Sequence, residues 1–357
     1  MINKFLAMAG VCALFLGAMT LTMNGRGKVM RVEAAGHAVA RVAFEGTERG
    51  TGQAASSGLC ERACLQSMVD QYIAAMVKHD PSGLPLAADY KFTENTAEIK
   101  IGDGLWVGAS EAPTTFKIYA LDPTSHQVGL FAVMKEFDKP VILAMRLKIN
   151  GGEIVEIEHV IARGVRDTSI PNLTTPRPGL VETVPLAERL SRDEMYRIAD
   201  SYFEAIEHSD GNLAPFADDC VRRENGMQTT SNTVLTHDPS DPPGAPIDPL
   251  HAKVRMLGCR DNINTHTLSY ITKIRPRRLI IIDEEKGLVF GFPMFVHRGN
   301  VRSIKIVGVP GLDSIPMTGL GTSDLEAGEI FKIRGGQIHE IEAMGFILPY
   351  GSKTGWE

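Results

Sequence analysis

A chain of 357 residues is longer than one domain usually needs, so two domains are expected. With 43% hydrophobic and 22% charged residues it has ordinary globular composition and ample material for a core. Its net charge of −6 is spread along the chain with no basic stripe, which sets nucleic-acid binding aside.

The chain opens with MINKFLAMAGVCALFLGAMTLTM: Lys4, then an uncharged apolar run from Phe5 to Met23. That is the layout of a secretory signal, and small residues follow at Ala34, Ala35 and Ala40. Arg26, Lys28 and Arg31 come after the run, against the usual charge bias, so an uncleaved anchor or a chain starting at Met30 fits the same residues. Residues 1–40 are read as signal or N-terminal anchor and leader, and 41–59 as a flexible segment. The expected location is exported, periplasmic or secreted, with no membrane contact beyond that N-terminal segment. Cys60 and Cys64 straddle a helix start at a spacing that can approach disulfide reach. Cys220 and Cys259 flank a long insertion that a bridge would anchor, with four buried free thiols as the alternative. No CxxC pair or zinc-spaced His and Cys cluster occurs.

From residue 60 the pattern is helical: Leu65, Met68, Val69, Tyr72, Ile73, Met76 and Val77 recur at three- and four-residue steps. HDPSGLP breaks the helix, and alternating strands follow to about residue 163. Residues 164–190 hold four prolines and read as an extended linker. They also carry the Asn172-Leu-Thr174 glycosylation pattern.

A second helix, with Ile198, Tyr202, Ala205 and Ile206 on one face, opens a repeat of the first half. Residues 68–95 and 198–225 align without gaps and share nine identities in 28, among them Asp70/Asp200, Tyr72/Tyr202, Glu94/Glu224 and Asn95/Asn225. KIYALDPTSHQVGLFAV (117–133) returns as RLIIIDEEKGLVFGFPMF (278–295), and LKINGGEIVEIEHV (147–160) as FKIRGGQIHEIEAM (331–344). The offset grows from 130 to 161 to 184, so the second domain, 191–350, carries insertions near 227–259 and 298–326. Each copy is expected to make an α+β cone from a long helix and a curved antiparallel sheet.

The stretches YIAAMVKHDPSGLPLAADYKFTEN, GDGLW, CVRRENGMQTT and IRPRRLIIIDEEKGLVFGF resemble the NTF2-like (SnoaL-like) superfamily. The tandem arrangement is similar to a largely uncharacterised family of secreted two-domain proteins within it. The resemblance implies two tandem NTF2-like cone-shaped domains, each with an apolar cavity and no cofactor. The superfamily includes isomerases, dehydratases, epoxide hydrolases, cyclases and lyases, and also binding domains without chemistry.

Candidate site residues are ionisable groups that an apolar sheet would turn inward. Strand alternation puts Cys220, Arg222 and Glu224 on one face and Arg223 and Asn225 on the other. Burial would raise the Glu224 pKa into the range of a general acid or base, with Arg222 beside it to hold an anionic oxygen. A turn cap or an Arg bridge common to both copies is the structural alternative for Glu94 and Glu224. His266 and Tyr270 are read at the start of a strand, and His297 at the end of one near a rim. A histidine suits proton transfer and a tyrosine hydroxyl suits a developing oxyanion. Arg275 and Arg277 are candidates for binding a carboxylate or phenolate, or else for pairing with Asp283, Glu284 and Glu285. Tyr202 and Asn225 complete the substrate-binding set, with core packing as the alternative for Tyr72 and Tyr202. The first copy, with Tyr90, Phe92, Trp106 and Tyr119 but few partners for Glu94 apart from His159, reads as the supporting one. Insertion 227–259 is expected as a lid over the second cone.

The sequence points to an exported, cofactor-independent lyase, isomerase or dehydratase acting on a small apolar or aromatic molecule in the second cone. The other account is a non-catalytic small-molecule-binding or oligomerisation module: a homo-oligomer, or a pseudo-dimer inside one chain. GSKTG near the C-terminus has no phosphate loop before it and reads as a tail.

Overall fold

The computed structural model describes residues 60–234, 248–317 and 321–357. The N-terminal signal or anchor, the 41–59 segment and residues 235–247 of the first insertion lie outside the described residues.

Helix α1, Arg62–Lys78, buries Leu65, Val69, Tyr72, Ile73 and Met76, the stripe that the sequence periodicity marks. Helix α2, Arg192–His208, begins with a capping box in which Ser191 and Glu194 satisfy each other's backbone N–H groups. The two helices end alike, on His79 and Ser209 in the left-handed conformation.

In the first copy, β1 (Leu86–Glu94), β2 (Lys117–Asp122), β3 (Gln127–Glu136), β4 (Lys139–Asn150) and β5 (Glu153–Ala162) form a sheet in the order β1-β5-β4-β3-β2. In the second copy, β6 (Phe216–Glu224), β7 (Leu279–Asp283), β8 (Leu288–Gly291), β9 (Met294–His297), β10 (Ser323–Arg334) and β11 (Gln337–Pro349) take the order β6-β11-β10-β8-β7. There β8 and β9 both pair with β10, standing where β3 runs unbroken. The break falls at Phe292-Pro293, because proline cannot donate to a ladder. The fold is α+β with curled sheets, but each sheet is mixed rather than purely antiparallel. β1 lies parallel to β5, and β6 parallel to β11, because the meander ends beside the strand that follows the helix, running its way.

Each helix covers one face of its own sheet, closing an apolar core around Tyr72 and Met145 in the first copy and around Tyr202 and Phe331 in the second. The opposite sheet faces pack on one another through Phe116, Ile118, Phe131, Ile142 and Ala144 from one copy and Ile281, Phe290, Phe292, Ile330 and Met344 from the other. Small residues let the sheets meet closely: a side chain on Gly328 would overlap Ala144, the residue at the same place in the repeat. Arg62 binds Asp283, and its counterpart Arg192 binds Asp122, so the two copies exchange equivalent ion pairs.

Both cysteine pairs are disulfides, with Cα separations of 5.3 Å for Cys60–Cys64 and 5.8 Å for Cys220–Cys259. Such bonds belong to an oxidising, extracytoplasmic environment. Among the described residues no helix is long and apolar enough to cross a membrane. The two insertions pack together: Val254, from the helix Pro249–Met256, shares a small core with Ile304, Ile306, Val309 and Leu312.

Residues 164–190 are not the extended connector that their prolines suggest. They fold into short helical turns, Asp167–Leu173, Pro178–Val181 and Leu186–Glu188, and bury Leu173, Leu180 and Val184. Arg177 fixes them to the second copy by donating to the carbonyls of Val221 and Ile341, each at 2.8 Å.

Candidate functional site

The buried polar residues of the two copies start from the same plan. Helix tyrosines Tyr72 and Tyr202 and strand-end glutamates Glu94 and Glu224 occupy matching positions, and the copies then diverge. In the first copy Met145 of β4 faces His159 of β5 across the ladder. At the equivalent pair in the second copy Glu329 of β10 faces Ala343 of β11. The ionisable group has moved from one strand to its neighbour.

In the first copy Tyr72 links a tryptophan to a histidine. The Trp106 indole N–H donates to the Tyr72 oxygen at 2.9 Å, and a Trp N–H can only donate. The same Tyr72 oxygen lies within hydrogen-bond distance of His159 Nε2, at 3.0 Å. His159 Nδ1 lies 3.7 Å from Glu94 Oε2 and has no hydrogen-bond partner. Glu94 also accepts from the Leu105 amide at 2.8 Å and from Arg163 at 3.2 Å. Burial works to raise the Glu94 pKa, but His159, the Leu105 amide and Arg163 outweigh it and hold the group below its usual range. Tyr72, Trp106 and His159 are all buried, and Glu94 has more partners than the sequence suggested.

The second copy is built differently. Arg222 is buried, and its Nε lies 2.7 Å from Glu224 Oε1 and donates to Thr229 Oγ1 at 3.0 Å. Its Nη2 donates to Asn262 Oδ1 at 2.9 Å. Thr229 lies near the start of the 227–259 insertion and Asn262 in the helix Cys259–Asn264 just after it, so the segment that interrupts the repeat and the helix that ends it supply the guanidinium's partners. Arg222 Nη1 has no hydrogen-bond partner, and neither has Oε2 of Glu329. Glu329 points into the same core as Ala327 and Phe331, two residues to either side on β10. Burial pushes its pKa up to about 8, and the Glu224 charge adds to the effect. Burial works against charge on Arg222 too, but Tyr202, Glu224 and Glu329 more than offset it and the guanidinium stays charged. Tyr202, whose hydroxyl sits against Arg222 and Glu329, is pushed well above its usual pKa by burial.

Among the sequence candidates, Tyr202, Arg222 and Glu224 come together. The Asn225 side chain is used locally, donating to the Gly345 carbonyl at 3.2 Å and accepting from its amide at 3.0 Å. Asn95 makes the same pair of bonds to Ile161. Both asparagines have positive φ, a conformation that asparagine tolerates well. This explains why Glu-Asn closes the post-helix strand in both copies: the asparagine locks the strand end.

His266 and Tyr270 do not begin a strand; they lie in turns after the short helix Cys259–Asn264. That helix lends Asn262 to the cluster. Tyr270 stacks on His297, with ring centroids 5.5 Å apart. His297 pairs with Ser323, six residues along β10 from Glu329, or about 20 Å of strand. Burial lowers the His297 pKa, with Asp324 opposing. Arg275 and Arg277 pair with helix carboxylates rather than with Asp283, Glu284 or Glu285. Arg277 meets Glu204 at 2.6 Å and Asp200 at 2.9 Å, and Arg275 meets Glu207 at 3.0 Å. A recess of about 280 Å³ lined by Thr168, Asn172, Met227 and Gln228 lies where residues 164–190 meet the hairpin after Glu224.

Residues 188–345 match a family model. Its description is a domain of unknown function, DUF8021, and the match takes in the second copy from just before α2 to near the end of β11. No curated protein matches the chain.

Glu329 escaped the sequence reading because AGEIFKIR looks like any strand with one polar face. The signal that would have found it is the comparison of copies: at this position the first copy has a methionine.

Proposed function

We propose that the second copy is an NTF2-like cone that performs cofactor-independent acid–base chemistry on a small apolar or aromatic molecule. Glu329, carrying its proton near neutral pH, is the acid, while Arg222 and Tyr202 hold the oxygen on which charge develops. Tandem NTF2-like organisation is part of this reading, supported by the common strand order of the two sheets. One observation carries the proposal: Arg222 Nη1 and Glu329 Oε2 are buried with no hydrogen-bond partner, and the Tyr202 hydroxyl sits against both groups. Orphaned buried polar atoms cost about 1–3 kcal/mol each, which a ligand with a carbonyl, hydroxyl or carboxyl group would recover.

The test is thermal-shift screening of small aromatic and terpenoid compounds against the parent chain and Glu329→Met, which installs the residue of the first copy. Hits that stabilise the parent and leave Glu329→Met unmoved support the site and justify turnover assays. Equal stabilisation of both proteins counts against it.

A second reading has its own observation in support. The face-to-face packing around Phe290 and Ala144, with its exchanged Arg–Asp pairs, suits a non-catalytic module whose duplication forms a pseudo-dimer within one chain. In that case Glu329→Met raises stability and no compound binds.

A further inference from the structure

Residues 351–357, GSKTGWE, do not behave as a loose tail. The amides of Gly351 and Ser352 donate to Asp324 Oδ2 at 2.6 and 3.0 Å. Thr354 is buried, and Glu357 folds back so that its Oε1 accepts from the Thr354 amide at 2.8 Å. The segment then lies on the first copy. Trp356 donates its indole N–H to Thr93 Oγ1 at 2.9 Å, and Lys91 donates to the Gly355 carbonyl. The indole ring receives Arg146 at 4.5 Å, Lys91 at 4.6 Å and Arg278 at 5.7 Å from its centroid. Glu158 accepts from Arg146 at 2.9 Å and from Arg278 at 2.6 and 2.8 Å. Those in-plane bonds hold the guanidinium groups still and leave their flat faces for the ring. Gly355 has φ of +82°, and a side chain there would come within 2.9 Å of the Thr96 carbonyl oxygen.

The same place in the second copy receives a different segment. Thr93 and Thr96 correspond to Arg223 and Gly226. Arg223 donates to the Asn172 carbonyl at 3.3 Å, the Asn172 side chain donates to the Gly226 carbonyl at 2.9 Å, and Leu173 packs on Gly226. Lys91 corresponds to Val221, whose carbonyl accepts from Arg177. In each copy, then, the shoulder at the end of the post-helix strand is covered by the segment that follows the other copy's last strand. Two unrelated sequences on one location mark it as a place built to receive chain segments. The second copy's arginines there, Arg177 and Arg223, bond to backbone carbonyls, whereas in the first copy Lys91, Arg146 and Arg278 gather on an indole ring.

We propose that the shoulder formed by Lys91, Thr93, Thr96 and Arg146 is a recognition site for a short peptide bearing Gly-Trp, and that residues 351–357 of the same chain are its resident ligand. Glycine is selected by the close approach to Thr96, and tryptophan by the Thr93 hydroxyl and the three cations. A labelled synthetic peptide of sequence GSKTGWE, followed by fluorescence anisotropy, tests this on full-length protein. The unaltered chain, its shoulder filled, is expected to bind the peptide weakly. The full chain with Trp356→Ala should bind it at least tenfold more tightly, and adding Lys91→Ala to that chain should weaken binding tenfold or more. A peptide with alanine in place of the tryptophan should not bind. Equal binding to the unaltered and Trp356→Ala chains, including none to either, would overturn the proposal, as would binding indifferent to Lys91→Ala.

Discussion

Arg62, in the first turn of α1, holds Asp283 of the second copy with two hydrogen bonds of 2.6 and 2.9 Å across 221 residues of chain. Asp283 also accepts from the Leu121 amide at 2.9 Å. The repeat-related set does the same in reverse: Arg192 grips Asp122 at 2.7 and 2.8 Å, and Asp122 accepts from the Ile282 amide at 3.0 Å. Both aspartates are fully buried. Arg62→Ala or Arg192→Ala leaves a buried carboxylate without its cation. Each should cost about 2–4 kcal/mol, discounted from the full buried-pair figure because both arginines are partly exposed. Denaturant melts check this, and the two losses should be nearly equal.

The copy-to-copy core should be as necessary as either cone. Phe290→Ala removes a ring from the middle of the sheet-on-sheet packing and should cost about 3–5 kcal/mol. Two transitions in calorimetry, with only one shifted by the substitution, would show that the copies melt independently.

Glu329 predicts a pH dependence. Its ordinary pKa of 4.5 is raised to about 8 by burial. A group so raised keeps its proton in the folded state where the unfolded chain has lost it. Its contribution to stability is complete below about pH 4.5 and is lost as pH rises through 8. Melting temperatures at pH 5, 6.5 and 8 should therefore fall for the parent and fall less for Glu329→Gln. Glu326, on the opposite face of β10 and raised to about 9 by burial and Glu158, should add separately. Identical slopes for parent and Glu329→Gln would show that the carboxyl is ionised throughout.

Tyr72→Phe in the first cone strands both the Trp106 N–H and His159 Nε2, and about 2–4 kcal/mol should be lost for two orphaned buried groups. Tyr202→Phe should cost less. It is expected instead to weaken any ligand found by screening, which the same thermal-shift assay reads.

The Cys220–Cys259 bond closes a loop of 39 residues, for which chain entropy gives about 4 kcal/mol. Cys220→Ser with Cys259→Ser should lose most of that. It should also loosen the hold of Asn262 on Arg222, seen as a reduced ligand shift.

Cysteine spacing left bridged and free thiols both open, whereas periodicity and repetition were enough to read the two helices, the strand pairs with their glycine turns, and the duplication with its insertions. These rest on local rules: helix faces step by three and four, strands alternate, and a duplicated pattern betrays itself at a fixed offset. The same rules marked Tyr202, Arg222 and Glu224 from one helix face and one strand face. They failed for the parallel pairing of β1 with β5, for the docked course of residues 164–190, and for the partners of Arg275 and Arg277. Each of these depends on which elements become neighbours after the sheet curls.

The lessons of Glu329 and Trp356 are of that kind. Strand alternation can say that Glu329 shares a face with Ala327 and Phe331, but not that this face is the inside of a closed core where a carboxyl keeps its proton. Composition makes GSKTGWE a polar tail, and only the exchange of segments between copies lays its tryptophan among Lys91, Arg146 and Arg278. Sequence by itself determined the elements and their repetition, because those follow from interactions a few residues apart. Burial, charge state and partner choice were decided by tertiary structure, because they depend on atoms brought together from distant parts of the chain.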